Sequence, residues 1–255
     1  MGTFQVGVGV GDIPPPDEWI QAGRIWLWGF GNRFQPCDGI YQPISARVLV
    51  IKDEQDNYFV LAAVDIGSLD PAMTSSIRDR IGQSRGISPE YICVNVSHTH
   101  GEPVAARIPT WQPGVDVPDD QYRQFLEKQI VDAIEAAFTN LQPASISFGR
   151  GATAIGVDRH FGPPGYYDPT LDVIKIVSDD DGSVIAVAFF TACHPVCLGD
   201  FNQVYADFPE VARDQIESAV GGFALFLQGY AGICDPVGDV DATGGGIGPK
   251  CSHHS

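Results

Sequence analysis

Basic residues are scarce: 15 Lys and Arg stand against 32 Asp and Glu in 255 residues, a formal net charge of −17 with His neutral. A surface that tracks phosphates needs clustered Lys and Arg, so nucleic acid and anionic membrane are poor partners. Long hydrophobic runs are also missing. The most apolar stretch, Val184 to Leu198, is interrupted by His194 and Pro195 and is too short to span a bilayer. The N-terminus, MGTFQVGVGVGDIPPP, lacks a basic residue and alternates like a strand, so it does not read as a signal peptide. The expectation is therefore a cytoplasmic protein, or a secreted one if its amino terminus is already processed. Cys37, Cys93, Cys193, Cys197, Cys234 and Cys251 are then expected to be reduced thiols. Repeats and low-complexity linkers are absent, which points to one domain over 1–255 with a flexible tail over 243–255.

What is present is 44% hydrophobic residues in regular runs, enough for a sizeable core. Strand-like runs are expected at Phe4–Val10, Ile44–Ile51, Tyr58–Val64, Tyr91–Val96, Ala144–Phe148, Leu171–Val177, Val184–Phe190 and Phe223–Leu227. Helical periodicity marks three segments. One is capped by Asp119 or Asp120 and runs to Leu141; the others are Asp70–Ser84 and Phe208–Val220. Helices interspersed with mostly apolar strands predict an α/β fold, a layered sandwich of mixed β-sheets covered by helices.

Chemistry collects where strands end. The strand ICVNV runs into Ser97-His98-Thr99-His100-Gly101-Glu102-Pro103, and VIAVAFFTA runs into Cys193-His194-Pro195. Two His at i and i+2 project to one side while the chain stays extended, and imidazole at a strand end suits zinc. An arbitrary His-x-His is more often a turn cap beside a solvated ring. Asp65 ends VLAAVD and Asp235 follows the glycine-rich turn of FLQGYAGICDP. A lone acid there is usually a helix cap, but four strands depositing His or Asp at one end suggest a ligand site. Arg159 is the basic residue nearest this group in the pattern, placed to hold a carboxylate or amide oxygen, or simply to pair with an acid. Two His alone rarely hold zinc, so a carboxylate, Asp65 ahead of Asp235, is expected beside His98. Asp207, before Phe208-Pro209, is expected to cap a helix. Cys193, Cys197 and Cys234 offer a separate, structural zinc site, against which the isolated C-x3-C spacing argues.

The ordered set of segments resembles the neutral, non-lysosomal ceramidase family, specifically its catalytic amino-terminal part. It comprises VGVGVGDIPPP, GFG at 29–31, ISARVLVIKD, VLAAVDIG, ISPEYICVNVSHTHGEP, VDRHFGPPGYYDPTLDVIKI, TACHPVCLGD, ADFPEVARDQIE and FLQGYAGICDP. SHTHGEP is close to that family's T-H-T-H-S-G-P. The resemblance implies a zinc-dependent amidohydrolase acting on a ceramide-like or other N-acyl substrate. In it His98 and His194 are zinc ligands, His100 contacts the substrate or the attacking water, and Arg159 lies in the substrate pocket. Asp235 falls where the family has the Ser or Asn of G-D-V-S-P or G-D-V-N-P, and Gly101 replaces the Ser after the second His. Family members continue beyond that turn and there supply a Glu and a Tyr to the zinc. The remaining ligands here would be Asp65, Asp235, or His253 and His254, although a C-terminal His-His is usually an unstructured tail, or residues of a second chain in a homo-oligomer. The alternative is a catalytically degenerate, self-assembling structural protein on the same fold.

Overall fold

In this computed structural model residues 4–107, 118–161 and 165–237 are described. Alternating apolar residues build β1 (Phe4–Asp12), β2 (Ser45–Lys52), β3 (Tyr58–Val64), β4 (Ile92–Val96) and β5 (Gln142–Ala152). They also build β7 (Thr170–Ser178), β8 (Val184–Thr191) and β9 (Phe223–Gln228), with β6 (Gly156–Asp158) and β10 (Cys234–Pro236) as short additions. Eight of these form one mixed sheet in the order β4-β3-β2-β1-β5-β7-β8-β9, and β10 pairs with β6 in a small second sheet. The helices are α1 (Asp17–Gln21), α2 (Pro71–Arg85), α3 (Asp120–Thr139) and α4 (Phe208–Val220). The expected α/β layering is thus observed. No helix among the described residues is long and apolar enough to cross a membrane.

Most neighbouring strands are antiparallel. The exceptions are the two outer pairs, β3–β4 and β8–β9, which are parallel. Each parallel pair needs a crossover, and α2 and α4 supply them. The sheet curls until its two edges meet: Gln228 N donates to Asn95 Oδ1 at 2.9 Å, and Asn95 Nδ2 donates to Gln228 O at 3.2 Å. Leu49, Leu61, Ile176, Ala188 and Leu225 fill the inside of the curl. On the outside, α2 and α3 press Ile77, Ile130 and Ile134 onto Val48, Val60 and Ala62. Glycine makes that approach possible, because a Cβ on Gly9 would stand 2.0 Å from the Ala133 carbonyl oxygen. Since both parallel pairs run the same way to the shared edge, the carboxyl ends of β3, β4, β8 and β9 open onto one mouth.

Helix starts follow the local chemistry of the sequence. The side chains of Asp70, Asp119 and Asp207 accept from the amides of Met73, of Gln121 and Tyr122, and of Phe208, respectively. These bonds satisfy donors that the first helical turn leaves unpaired. The tail at 243–255, with Cys251, His253 and His254, lies outside the described residues. The other five cysteines are free thiols.

Candidate metal centre

His98 leaves β4 with a backbone φ of 64°, a left-handed conformation uncommon for a residue with a side chain. That bend, rather than an extended strand end, brings His100, two residues on, back toward it. The His98 amide donates to Ile66 O, and its Nδ1 lies 2.6 Å from Gly67 O. A carbonyl only accepts, so Nδ1 carries the hydrogen and Nε2 keeps its lone pair. His100 packs edge-on against Trp28 and Phe30, at centroid distances of 5.2 and 5.0 Å, and its carbonyl is held by Arg33. His194 follows β8, and its amide donates to Cys234 O at 2.8 Å.

The three rings face one another, with centroids 5.0 to 5.6 Å apart. One ligand atom from each lies within 4.8 Å of the other two, so the cluster could hold a metal ion. The surroundings favour the neutral imidazole that a metal needs. Burial lowers the pKa of His98, and the neighbouring His194 and Arg159 lower it further. Burial and the two other rings push His100 down to about 3. His194 is lowered by burial and by Arg159, with Asp235 opposing. Both His100 ring nitrogens and His194 Nδ1 are buried without a hydrogen-bond partner. Buried polar atoms are normally satisfied, and a neutral imidazole carries one lone pair and one N–H, so one of the two orphaned His100 nitrogens suits a cation that accepts its lone pair.

A cleft of about 510 Å³ opens beside the cluster, lined by His98, His194, Arg159, Asn95, Gln228 and Gly229. Asp235, placed by the β10–β6 pairing, has Oδ1 3.6 Å from His194 Nδ1 and 3.8 Å from Arg159 Nη1. The structure therefore brings His98, His100, His194, Asp235 and Arg159 together. Asp65 is not part of the group, contrary to the preference for it over Asp235. Its oxygens instead accept from Arg213 at 2.8 and 2.7 Å and from the Ser45 amide and hydroxyl. A carboxylate engaged on both oxygens by a guanidinium has little left for a metal. Cys193, Cys197 and Cys234 do not form a three-ligand group either; among the described residues only the histidines do. Sequence reasoning missed the Gly67 carbonyl, Arg33 and Trp28, because neither a backbone oxygen nor a packing ring leaves a pattern in the chain.

Residues 4–160 match the family model described as neutral/alkaline non-lysosomal ceramidase, N-terminal. The neutral ceramidases of Drosophila pseudoobscura pseudoobscura and Drosophila melanogaster are each 30% identical over 104 residues, 40% of this chain and 14% of theirs. A neutral ceramidase from Pseudomonas aeruginosa superposes with a TM-score of 0.81 at 21% identity, over 97% of this chain and 41% of that one. A ceramidase complexed with C2 superposes equally well, over 92% of this chain and 39% of its own. The chain thus matches well under half the length of these relatives. With more than half of its residues matched by the family model, it belongs to the neutral/alkaline non-lysosomal ceramidase family, through that family's N-terminal part.

Proposed function

We propose that this protein is a zinc-dependent amidohydrolase that cleaves the amide of a ceramide-like or other N-acyl substrate. The observation that carries it is the convergence of His98, His100 and His194, with both His100 nitrogens buried and unpaired. Three neutral imidazoles are a familiar donor set for catalytic zinc, which keeps a fourth position for water or substrate. When bound, zinc lowers the pKa of water to about 7 and polarises a carbonyl oxygen.

The chain's own residues supply the rest. His100 acts as a ligand rather than as a proton shuttle, because its ring is packed behind Trp28 and Phe30 and does not line the cleft. Gly67 holds the His98 tautomer, and Asp235 stands between His194 Nδ1 and Arg159 Nη1. Arg159 lines the cleft and orients a substrate oxygen through its guanidinium. The Asn95 side-chain amide is tied to the Gln228 backbone, and the Gln228 amide donates to the carbonyls of Ser97 and Cys193, which keeps that wall of the cleft fixed.

The test is metal analysis of the dialysed protein with hydrolysis of a fluorogenic N-acyl sphingosine. Near-stoichiometric zinc and amide cleavage are expected, both lost in His194→Ala. A protein that holds no zinc and assembles into ordered oligomers would instead be the degenerate structural form of the fold.

A further inference from the structure

Gln228 ends β9, and its side chain reaches the ends of two other strands. Its Nε2 donates to Ser97 O at 2.9 Å and to Cys193 O at 2.8 Å. Both partners are carbonyl oxygens, which only accept, so the NH2 end of the amide sits between them with one hydrogen for each. Its Oε1 accepts from the Cys193 amide at 3.4 Å. The Gln228 backbone is itself anchored to Asn95, through N to Oδ1 at 2.9 Å and through O from Nδ2 at 3.2 Å. Ser97 and Cys193 are the residues immediately before His98 and His194.

A carbonyl and the amide that follows it are two ends of one planar peptide unit. The Ser97–His98 unit is held at its oxygen by Gln228 and at its N–H by Ile66 O at 2.9 Å. The Cys193–His194 unit is held at its oxygen by the same Gln228 amide and at its N–H by Cys234 O at 2.8 Å. The first plane matters most, because the φ of 64° at His98 is the rotation about the bond that leaves it. A backbone in that region persists only where its surroundings hold it. We propose that Gln228 is a positioning residue for two histidines of the cluster: one side-chain amide fixes both peptide planes, keeps His98 in its left-handed conformation and sets the His98 and His194 rings 5.0 Å apart. The purpose of that spacing rests on the metal-binding function proposed above, but the grip on the two peptides does not.

The experiment reads the peptides and the metal separately. Amide hydrogen exchange, followed by NMR on the metal-free protein, compares the His98 and His194 amides with those of Val48 and Val50 in the interior strand β2. Zinc titration of the same samples gives the affinity. Gln228→Met keeps the reach without a donor, and Gln228→Glu keeps the outline but as a carboxylate has no N–H to offer two carbonyls. In both, the His98 and His194 amides are expected to exchange at least about fivefold faster relative to β2, the equivalent of one lost hydrogen bond. Zinc affinity is expected to fall roughly 10–100-fold. A merely structural role would speed all these amides alike, and that result overturns the proposal. So does a Gln228→Glu that matches the parent, which would make shape rather than donors the contribution of Gln228. Selective exchange with unchanged zinc affinity, in a parent that binds zinc, overturns it as well. If neither variant folds, the parent decides: protection of both Gln228 side-chain N–H hydrogens supports the proposal, and either one exchanging like a free glutamine amide overturns it. Selective exchange in the variants of a parent that binds no zinc would uphold the positioning role and sink the metal centre.

Discussion

Arg213 closes a bidentate pair on Asp65, Nη1 to Oδ1 at 2.8 Å and Nη2 to Oδ2 at 2.7 Å, with each side chain 2% exposed. Burial opposes the Arg213 charge, but Asp65 and Glu210 outweigh it and hold its pKa above the usual value. The pair joins the end of β3 to the middle of α4. Removing one partner leaves the other buried and uncompensated, so Arg213→Met is expected to lose about 3–5 kcal/mol of stability. The double variant Asp65→Asn with Arg213→Met should lose less than Arg213→Met alone. Chemical denaturation of the three proteins measures this. Zinc affinity of folded Asp65→Asn should match the parent, and a large drop would put Asp65 back beside His98.

Asp235 is the carboxylate that faces the cluster, 3.6 Å from His194 Nδ1, just outside hydrogen-bond reach. Closed to hydrogen-bond distance, such a carboxylate fixes the ring and raises its basicity, and the loss of that bond commonly costs about 10–100-fold in metal affinity. Asp235→Asn is therefore expected to weaken zinc by that factor while His194→Ala loses it altogether. Competition with a chromophoric chelator gives both constants. Equal affinity in Asp235→Asn and the parent would leave Asp235 with Arg159 alone.

The elements with a clear period were legible in the chain. Tyr58–Val64 and Phe208–Val220 stand where the apolar spacing puts them, and Asp70, Asp119 and Asp207 cap the helices they precede. The three-residue strands Gly156–Asp158 and Cys234–Pro236 were not, because a segment that short has no period and exists only through its partner. The histidines were legible as donors at strand ends, but their convergence depends on the φ of 64° at His98, which residue identity does not encode. Asp65 misled for a similar reason. Two acids at strand ends look alike in sequence, and the residue that claims one of them, Arg213, lies 148 positions away.

The metal-free protein should lose stability in mild acid. The folded pKa values of His98, His100 and His194 lie below 6.5, with His100 at about 3 through burial and its charged neighbours. Between about 6.5 and the lower folded value the unfolded chain binds the proton and the folded one does not. The stabilisation is thus complete above 6.5 and declines as pH falls, by about 1.4 kcal/mol per pH unit for each such histidine. Asp70 acts in a lower window. Burial works against its charge, but Arg123 and the amides of Arg107 and Met73 bring it down to about 2, so its contribution fades only below 3.8. Urea midpoints taken from pH 4.5 to 7.5 should therefore fall toward acid, and less steeply in His100→Gln. An identical slope in the two proteins would mean that His100 protonates freely in the fold.

Asp207 combines a cap with a strained backbone, and the two separate cleanly by substitution. Its carboxylate accepts from the amides of Phe208 at 2.8 Å, Cys197 at 3.1 Å and Leu198 at 3.0 Å. One side chain thus starts α4 and anchors the turn that follows His194. Burial raises its pKa, and those three amides partly restore the charged form. Its φ of 67° with ψ of −154° lies in a region that glycine enters freely and other residues do not. Asp207→Ala loses the acceptor and keeps the strain, and it leaves three amides unpaired, so it should cost about 2 kcal/mol or more. Asp207→Gly loses the same acceptor but relaxes the backbone, so it should be the milder change, about 1 kcal/mol better than Ala. Asp207→Asn keeps an acceptor oxygen and should fall closest to the parent. Thermal and urea unfolding rank the three. An Ala variant as stable as Gly would show that the backbone at 207 relaxes once the carboxylate is gone, and that the turn after His194 does not depend on it.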